Sequence, residues 1–309
     1  MRRSTSEDFD VIIVGGGIAG LSAALLLGRS LRRVLVCDAG HPRNAASPAM
    51  HCYLGLDGIN PGSFLQQARE DLKRYSNVDV RFTTVTGAVR NDDNFRVIAS
   101  ADEVFTSRAL LLATGIKDTP PDIPHLKDFY GTSIHTCPYC DAWEHRDQPI
   151  GVLGNDKAAC DLALELLIWS GDVTLYTNEE NNMAASASAP LTTKHLRIAA
   201  GRVSRLEGKE GRLSGLVMTG GELFPCRSLF ILPTQRHQSA LAEALGCQVE
   251  KANGAVICGP KGNTGVNGLF VAGNLSKGVQ LAMIAASEGV SAAVAINEWL
   301  LEADLAPGD

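Results

Sequence analysis

The sequence predicts an α/β fold made of two successive strand–turn–helix–strand units, and three stretches carry that prediction. "FDVIIVGGGIAGLSAALLLGRS" runs from a β-branched strand through a glycine-rich turn into an apolar helix. "QPIGVLGNDKAACDLALELLIWSGDVTLYTN" repeats the same order further along. "GLFVAGNLSKGVQLAMIAASEGVSAAVAINEWL" closes the chain with a strand, a turn and a long helix of small residues. Helical patterns alternating with short apolar runs are the signature of βαβ units.

In the first stretch, Gly15, Gly17 and Gly20 form "GxGxxG". The first glycine permits the tight turn, the second lets a pyrophosphate approach the backbone, and the third lets helix and strand pack closely. The helix N-terminus then faces the phosphates. A second strand, "RVLVCDAG", ends at Asp38, 23 residues after Gly15, where an acid binds a ribose hydroxyl. A lone "GxGxxG" is weak; here strand, helix and acid all stand in place. Further on, "RALLLATGIKDTPPDIP" is a buried strand followed by a Pro-rich connection, which puts a domain boundary near residue 117. The stretch "ENNMAASASAP" reads as a surface loop.

The 309 residues suffice for two domains or one large one. A 45% hydrophobic and 20% charged composition is that of a globular protein. A net charge of −6 leaves no footprint for nucleic acid or an anionic membrane. "MRRSTSEDFD" is polar and leads directly into the first strand, and the longest apolar runs are too short to span a bilayer. The expectation is a cytoplasmic protein with neither nucleic acid nor membrane as partner.

Of the eight cysteines, only Cys137 and Cys140, in "CPYCD", lie close together. That predicts one redox-active pair and six packing thiols rather than a disulfide framework. No second Cys pair completes a zinc site, although His145 follows in "CPYCDAWEH". No metal is expected.

Two nucleotide-binding units with a "CxxC" just before the second resemble the low-molecular-weight thioredoxin reductase family. "GGGIAG", "ATG", "CPYCD" and "GLFVAGN" fall in family order over nearly the whole chain. The resemblance implies two Rossmann-like, three-layer domains of the FAD/NAD(P)-binding disulfide reductase type, usually in a homodimer. Residues 1–117 and 241–309 would form the FAD domain, and 118–240 an inserted redox domain. Carried over by position, Gly15, Gly17, Ile18, Ala19, Gly20, Asp38 and Ala39 would hold the FAD pyrophosphate and adenosine ribose. Arg43 and Asn44 are candidates for flavin-side contacts, with a solvated loop as the alternative. Ala113, Thr114, Gly115 and Gly273 complete the cofactor set. Asn274 stands where the family has an aspartate. Gln280, Leu281 and Ala282 begin a closing helix whose N-terminus would point at the flavin.

The same resemblance makes Cys140 the flavin-proximal thiol, Cys137 the exchange thiol and Asp141 the acid/base carboxylate. Asp141 could equally cap a helix, with Glu144 as its capping-box partner. His135 and His145 flank the pair; either could favour a thiolate or serve as a base, and a hydrogen-bonding role is the alternative.

The second unit departs from the family. "GNDKAA" puts Asp156 where the middle glycine belongs, so a carboxylate lies where the backbone should touch a pyrophosphate. "TNEENN" carries Asn178, Glu179 and Glu180 in place of a basic cluster for a 2′-phosphate. Glu179 or Glu180 could bind an NADH ribose only weakly without the glycine turn. The expectation is therefore an FAD-dependent dithiol/disulfide oxidoreductase without NADPH. Its partner in electron exchange would be ferredoxin, a second FAD or dioxygen, and its substrate a thioredoxin-like protein or a small dithiol or disulfide. "DLALELLIWSG" and Trp143 could offer a second flavin a surface or be core. Two alternatives stand beside this reading. One is an NADPH-dependent thioredoxin reductase with a divergent site, the other a non-enzymatic flavin-binding redox sensor.

Overall fold

The computed structural model describes residues 7–91, 94–178, 196–251, 253–276 and 278–306. The chain divides into two compact units, Met1–Ala45 with Pro61–Lys117 and Gln235–Asp309, and Ala46–Asn60 with Asp118–Thr234. This division differs from the sequence boundaries in two places. The chain returns to the first unit at Gln235 rather than 241, and Ala46–Asn60 groups with the redox unit. Local contacts explain the second difference: the Cys52 thiol donates to the Tyr139 carbonyl, and His51 Nε2 lies 3.5 Å from Glu144.

In chain order, β1 (Glu7–Val14) turns into α1 (Ile18–Arg29), followed by β2 (Val34–Asp38), α2 (Pro61–Leu72) and β3 (Val78–Phe82). The antiparallel pair β4 (Val85–Asn91) and β5 (Asn94–Ala99) leads to β6 (Val104–Leu112), and β7 (Ile116–Thr119) leaves the first unit. The second unit holds α3 (Leu126–Phe129), β8 (Ile134–His135), α4 (Pro138–Asp141), β9 (Ile150–Leu153), α5 (Lys157–Leu166), β10 (Val173–Tyr176) and β11 (Leu196–Ala199). It continues with β12 (Val203–Lys209), β13 (Arg212–Met218), β14 (Leu223–Pro225) and β15 (Ser228–Ile231). Then β16 (Thr234–His237), α6 (Leu241–Ala244), β17 (Leu269–Val271) and α7 (Ala282–Leu305) complete the first unit.

The first sheet runs β3-β2-β1-β6-β5-β4 among the described residues. β1, β2, β3, β6 and β17 are parallel, and β6 pairs with β5 along its first half and with β17 along its second. Side chains alternate across the sheet, so β1 buries both faces. Val11 and Ile13 pack with Leu27 of α1 and Ile296 of α7, while Ile12 and Val14 pack with Phe95 and Val97. α7 approaches α1 closely because a Cβ on Gly289 would strike the Ala19 carbonyl. The register aligns the carboxyl ends: Val14 lies opposite both Cys37 and Leu112, and Val271 opposite Leu112. Everything that follows these strands is thereby gathered at one edge of the sheet.

The second unit has its own parallel sheet, β11-β10-β9-β15-β8. An antiparallel layer, β12-β13-β14, packs with it around Leu206, Leu216 and Leu229. This is the α/β fold of two Rossmann-type sheets that the sequence predicts. No described helix is long and apolar enough to cross a membrane.

Candidate active site

The first cluster of predicted residues lies at the carboxyl edge of the first sheet. Gly15 sits at φ +113°, and a Cβ there would meet the Ala113 carbonyl, so the turn after β1 closes against the end of β6. A Cβ on Gly20 would strike the Gly15 carbonyl, which sets the close packing of α1 on β1. Gly17 differs: nothing lies within 4 Å of where its Cβ would be, and this N-cap of α1 has no side-chain capping bond. Its first-turn amides, with Ile18 and the buried Ala19 behind them, face an opening suited to phosphate oxygens. The observed cradle therefore fits the pyrophosphate of FAD.

Asp38 ends β2 as a buried carboxylate. Its Oδ1 accepts from the Gly40 amide at 2.8 Å, and its Oδ2 accepts from Arg69 Nη2 at 2.7 Å. Arg69, on α2, has no sequence signal, because the pairing spans 31 positions between two elements. Ala39 is exposed beside Asp38. Arg43 Nη1 donates to Gln280 Oε1 at 2.6 Å, so two predicted residues far apart in sequence meet. Asn44 is half-buried in the same turn. Ala113, Thr114 and Gly115 follow β6, and the Gly115 carbonyl accepts from the Gln238 amide at 3.4 Å. The Gly273 amide donates to Glu288 Oε2 at 2.9 Å, and Asn274 is half-buried beside it. Burial pushes the Glu288 carboxyl up, against the lowering effect of that amide. Gln280 precedes Leu281, the N-cap of α7, which has no side-chain capping bond, and Ala282 is the first helical residue.

The second cluster is the dithiol site. Cys137 and Cys140 form a disulfide with Cα atoms 5.3 Å apart. Cys137 is the N-cap of α4, Pro138 supplies its preset first turn, and Cys137 Sγ accepts from the Cys140 amide at 3.2 Å. On reduction, an amide aimed at that sulfur favours its thiolate. Asp141 makes no side-chain capping bond, so the capping-box alternative is corrected. Its Oδ1 instead lies 3.3 Å from His135 Nδ1, and His135 Nε2 lies 2.9 Å from His145 Nε2. Buried His135 is held by its place in β8, where it lies in register with Phe230 of β15 and rests against that ring. Burial first, then the neighbouring His135, pushes His145 down to about 4, against the pull of Asp141. With Nδ1–H of His135 toward Asp141, the His145 Nε2–H donates to His135 Nε2. When solvent protonates His145 at Nδ1, its Nε2 proton can pass to His135 Nε2 as the His135 Nδ1 proton passes to Asp141, so the three residues form a line along which a proton can move. The sequence named these three residues but not their connection.

The surroundings of the disulfide hold two further findings. Tyr139 and Trp143 are exposed at 57% and 63%, so Trp143 is not core. Leu162, Ala163 and Leu166 of α5 are core. Cys52 is also exposed, which corrects its reading as a packing thiol. Cys37, Cys160, Cys226 and Cys247 are buried, and burial pushes Cys37 and Cys226 up to about 12.

At the turn after β9, Asp156 is the N-cap of α5, and its Oδ1 accepts from the Ala159 amide at 2.9 Å. The carboxylate thus occupies the helix end where a dinucleotide phosphate would be received. Lys157 pairs with Asp161 at 2.6 Å. Asn178 Oδ1 accepts from the Val203 amide at 2.9 Å and is turned inward to the fold. Glu179, Glu180 and the stretch "ENNMAASASAP" lie outside the described residues.

Residues 9–289 match the family described as pyridine nucleotide-disulphide oxidoreductase. A probable thioredoxin reductase of Arthroderma benhamiae is 36% identical over 55% of this chain and 44% of that protein, so the alignment spans under half of that relative. Thioredoxin reductase tcpT of Claviceps purpurea is 33% identical over 88% of each chain. Among solved structures, a putative thioredoxin reductase TrxB from Bacillus anthracis superposes with a TM-score of 0.90 at 28% identity, covering 96% of this chain and all of that one. The match, the glycine cradle and the cysteine pair agree: the chain belongs to the pyridine nucleotide-disulphide oxidoreductase family and is a thioredoxin reductase-like oxidoreductase acting on sulfur groups.

Proposed function

We propose that this protein exchanges electrons between FAD and the Cys137–Cys140 pair, and then with a substrate dithiol or disulfide, without using NADPH. One observation carries the second half of this reading. The α5 N-terminus, where a nicotinamide dinucleotide would place its pyrophosphate, is already capped by the Asp156 carboxylate. A phosphate there would displace the cap and meet a like charge. Asn178, engaged with the Val203 amide, adds no positive charge for a 2′-phosphate.

Bound FAD supplies a two-electron couple. The residues of this chain supply the rest. Cys137, whose sulfur accepts from the Cys140 amide, would exchange with the external sulfur, and Cys140 would be the sulfur that exchanges electrons with bound FAD. Asp141, His135 and His145 carry the thiol protons. In the oxidising direction a substrate dithiolate attacks the disulfide, both protein sulfurs leave reduced, and the substrate becomes a disulfide. FAD, when bound, would take up the two electrons of the reduced pair, with dioxygen, ferredoxin or a second flavin as the class of acceptor that regenerates it. The test is anaerobic stopped-flow mixing of the oxidised holoenzyme with NADPH, followed by photoreduction and mixing with oxygen. No flavin bleaching by micromolar NADPH is expected, and rapid bleaching would overturn the reading. Slow reoxidation by oxygen would remove the oxidase direction.

A second reading, an NADPH-dependent thioredoxin reductase with a divergent nucleotide site, is favoured by the names of the relatives. The same stopped-flow experiment separates the two.

A further inference from the structure

We propose that His237 is a further ligand of the FAD, hydrogen-bonding the cofactor through Nε2. The side chain is 9% exposed, and its Nε2 is buried without a hydrogen-bond partner. A buried polar nitrogen left unpaired is destabilising and calls for a partner. Its other nitrogen, Nδ1, lies 3.6 Å from Glu243 Oε1, which orients the ring without a full hydrogen bond. With the proton on Nδ1 facing that carboxylate, Nε2 presents a lone pair.

The position of His237 specifies what it meets. It lies on β16 two residues after Gln235, so the two side chains share a strand face. Both are half-buried, while Thr234 and Arg236 between and before them are exposed. Gln235 Nε2 donates to Gln280 Oε1 at 3.1 Å, and Gln235 Oε1 accepts from Gln280 Nε2 at 3.0 Å. Gln280 in turn accepts from Arg43. The next residue, Gln238, ties the strand to the turn after β6 and the start of β7 through the carbonyls of Gly115 and Ile116. The orphan nitrogen thus lies on the same strand face as Gln235, whose amide reaches Gln280 just before the start of α7. An acceptor there suits a hydroxyl of the ribityl chain or an N–H of the flavin ring. This assignment does not depend on whether NADPH is used.

The experiment reconstitutes apoprotein with FAD and reads the dissociation constant and visible spectrum of the flavin. The wild type is the control: failure to bind FAD would count against the cofactor rather than His237. His237→Leu is expected to weaken FAD binding on the order of tenfold and to shift the flavin band. His237→Gln retains an acceptor at similar reach and is expected to hold within about threefold. His237→Asn keeps polarity but withdraws the acceptor, so it should behave like the Leu variant. If Leu fails to fold, the Asn and Gln pair decides. Unchanged affinity and spectrum in His237→Asn, or in a folded Leu variant, overturns the proposal.

Discussion

The Asp156 cap permits a quantitative test by substitution. In Asp156→Ala the α5 N-terminus loses its 2.9 Å bond to the Ala159 amide. Loss of an Asp N-cap costs about 1 kcal/mol, whereas Gly at the same place costs only a few tenths. The expected fall in Tm is about 2–4 °C for Ala and under about 1 °C for Gly. Asp156→Gly also removes a like charge. A phosphate competing for the same amide would sit about 5 Å from the carboxylate, where the repulsion is about 1–3 kcal/mol at effective dielectric constants between bulk water and a protein surface. NADPH binding to Asp156→Gly should therefore be roughly ten- to a hundredfold tighter than to the wild type. Calorimetric titration of the oxidised holoenzyme measures both constants. Two results refute the reasoning: micromolar NADPH binding by the wild type, or an unchanged Tm in Asp156→Ala.

Four other outcomes are expected. His145 is held down to about 4 by burial, so below about pH 6.5 the unfolded chain takes up a proton that the folded one refuses. Stability should fall as the pH drops from about 6.5 to about 4, by about 1–2 kcal/mol after allowing for the partial exposure of the ring, and His145→Gln should flatten that slope in urea melts. Thiol titration of the unreduced, denatured protein should give six thiols, rising to eight after reduction. In the native protein Cys52 should be alkylated first and Cys37 and Cys226 last, read by peptide mass spectrometry. Gly17→Asp would place a carboxylate at the open N-cap of α1 and should lower FAD affinity at least about tenfold, measured by flavin fluorescence, with little change in Tm because no neighbour lies within 4 Å.

The gathering of the residues proposed to hold the cofactor is legible because they sit at fixed offsets from strand ends. Gly15, Gly17 and Gly20 follow β1, Asp38 ends β2, and Ala113–Gly115 follow β6, so parallel register alone brings them together. The substitution at Asp156 was legible for the same reason. What it does was not: the capping bond to Ala159 depends on the side chain turning back to its own helix. Contacts between side chains on separate elements were also hidden. Arg69 reaches Asp38 across 31 positions, and His135 meets His145 because β8 and the turn after α4 converge. The exposure of Cys52 depends on packing that no local pattern encodes.

The two βαβ units place opposite electrostatics at equivalent points. Helix N-termini leave amides that something must satisfy. In the first unit α1 and α7 begin without side-chain caps, at Gly17 and Leu281. Gly273, between β17 and α7, would bring a Cβ to 3.1 Å from the Ala19 Cβ, so the turn before α7 also borders the start of α1. Such ends are suited to an anionic cofactor. In the second unit α5 satisfies its own amide through Asp156. A Rossmann sheet without an open phosphate site still has work in this chain. β15 holds β8 in register so that His135 is buried against Phe230, within reach of both Asp141 and His145. The same sheet thus fixes the residues proposed to carry protons beside the disulfide. On the proposed function, a closed phosphate site leaves the strands of the second unit in use, because the proposed dithiol chemistry depends on the placement of His135 that they set.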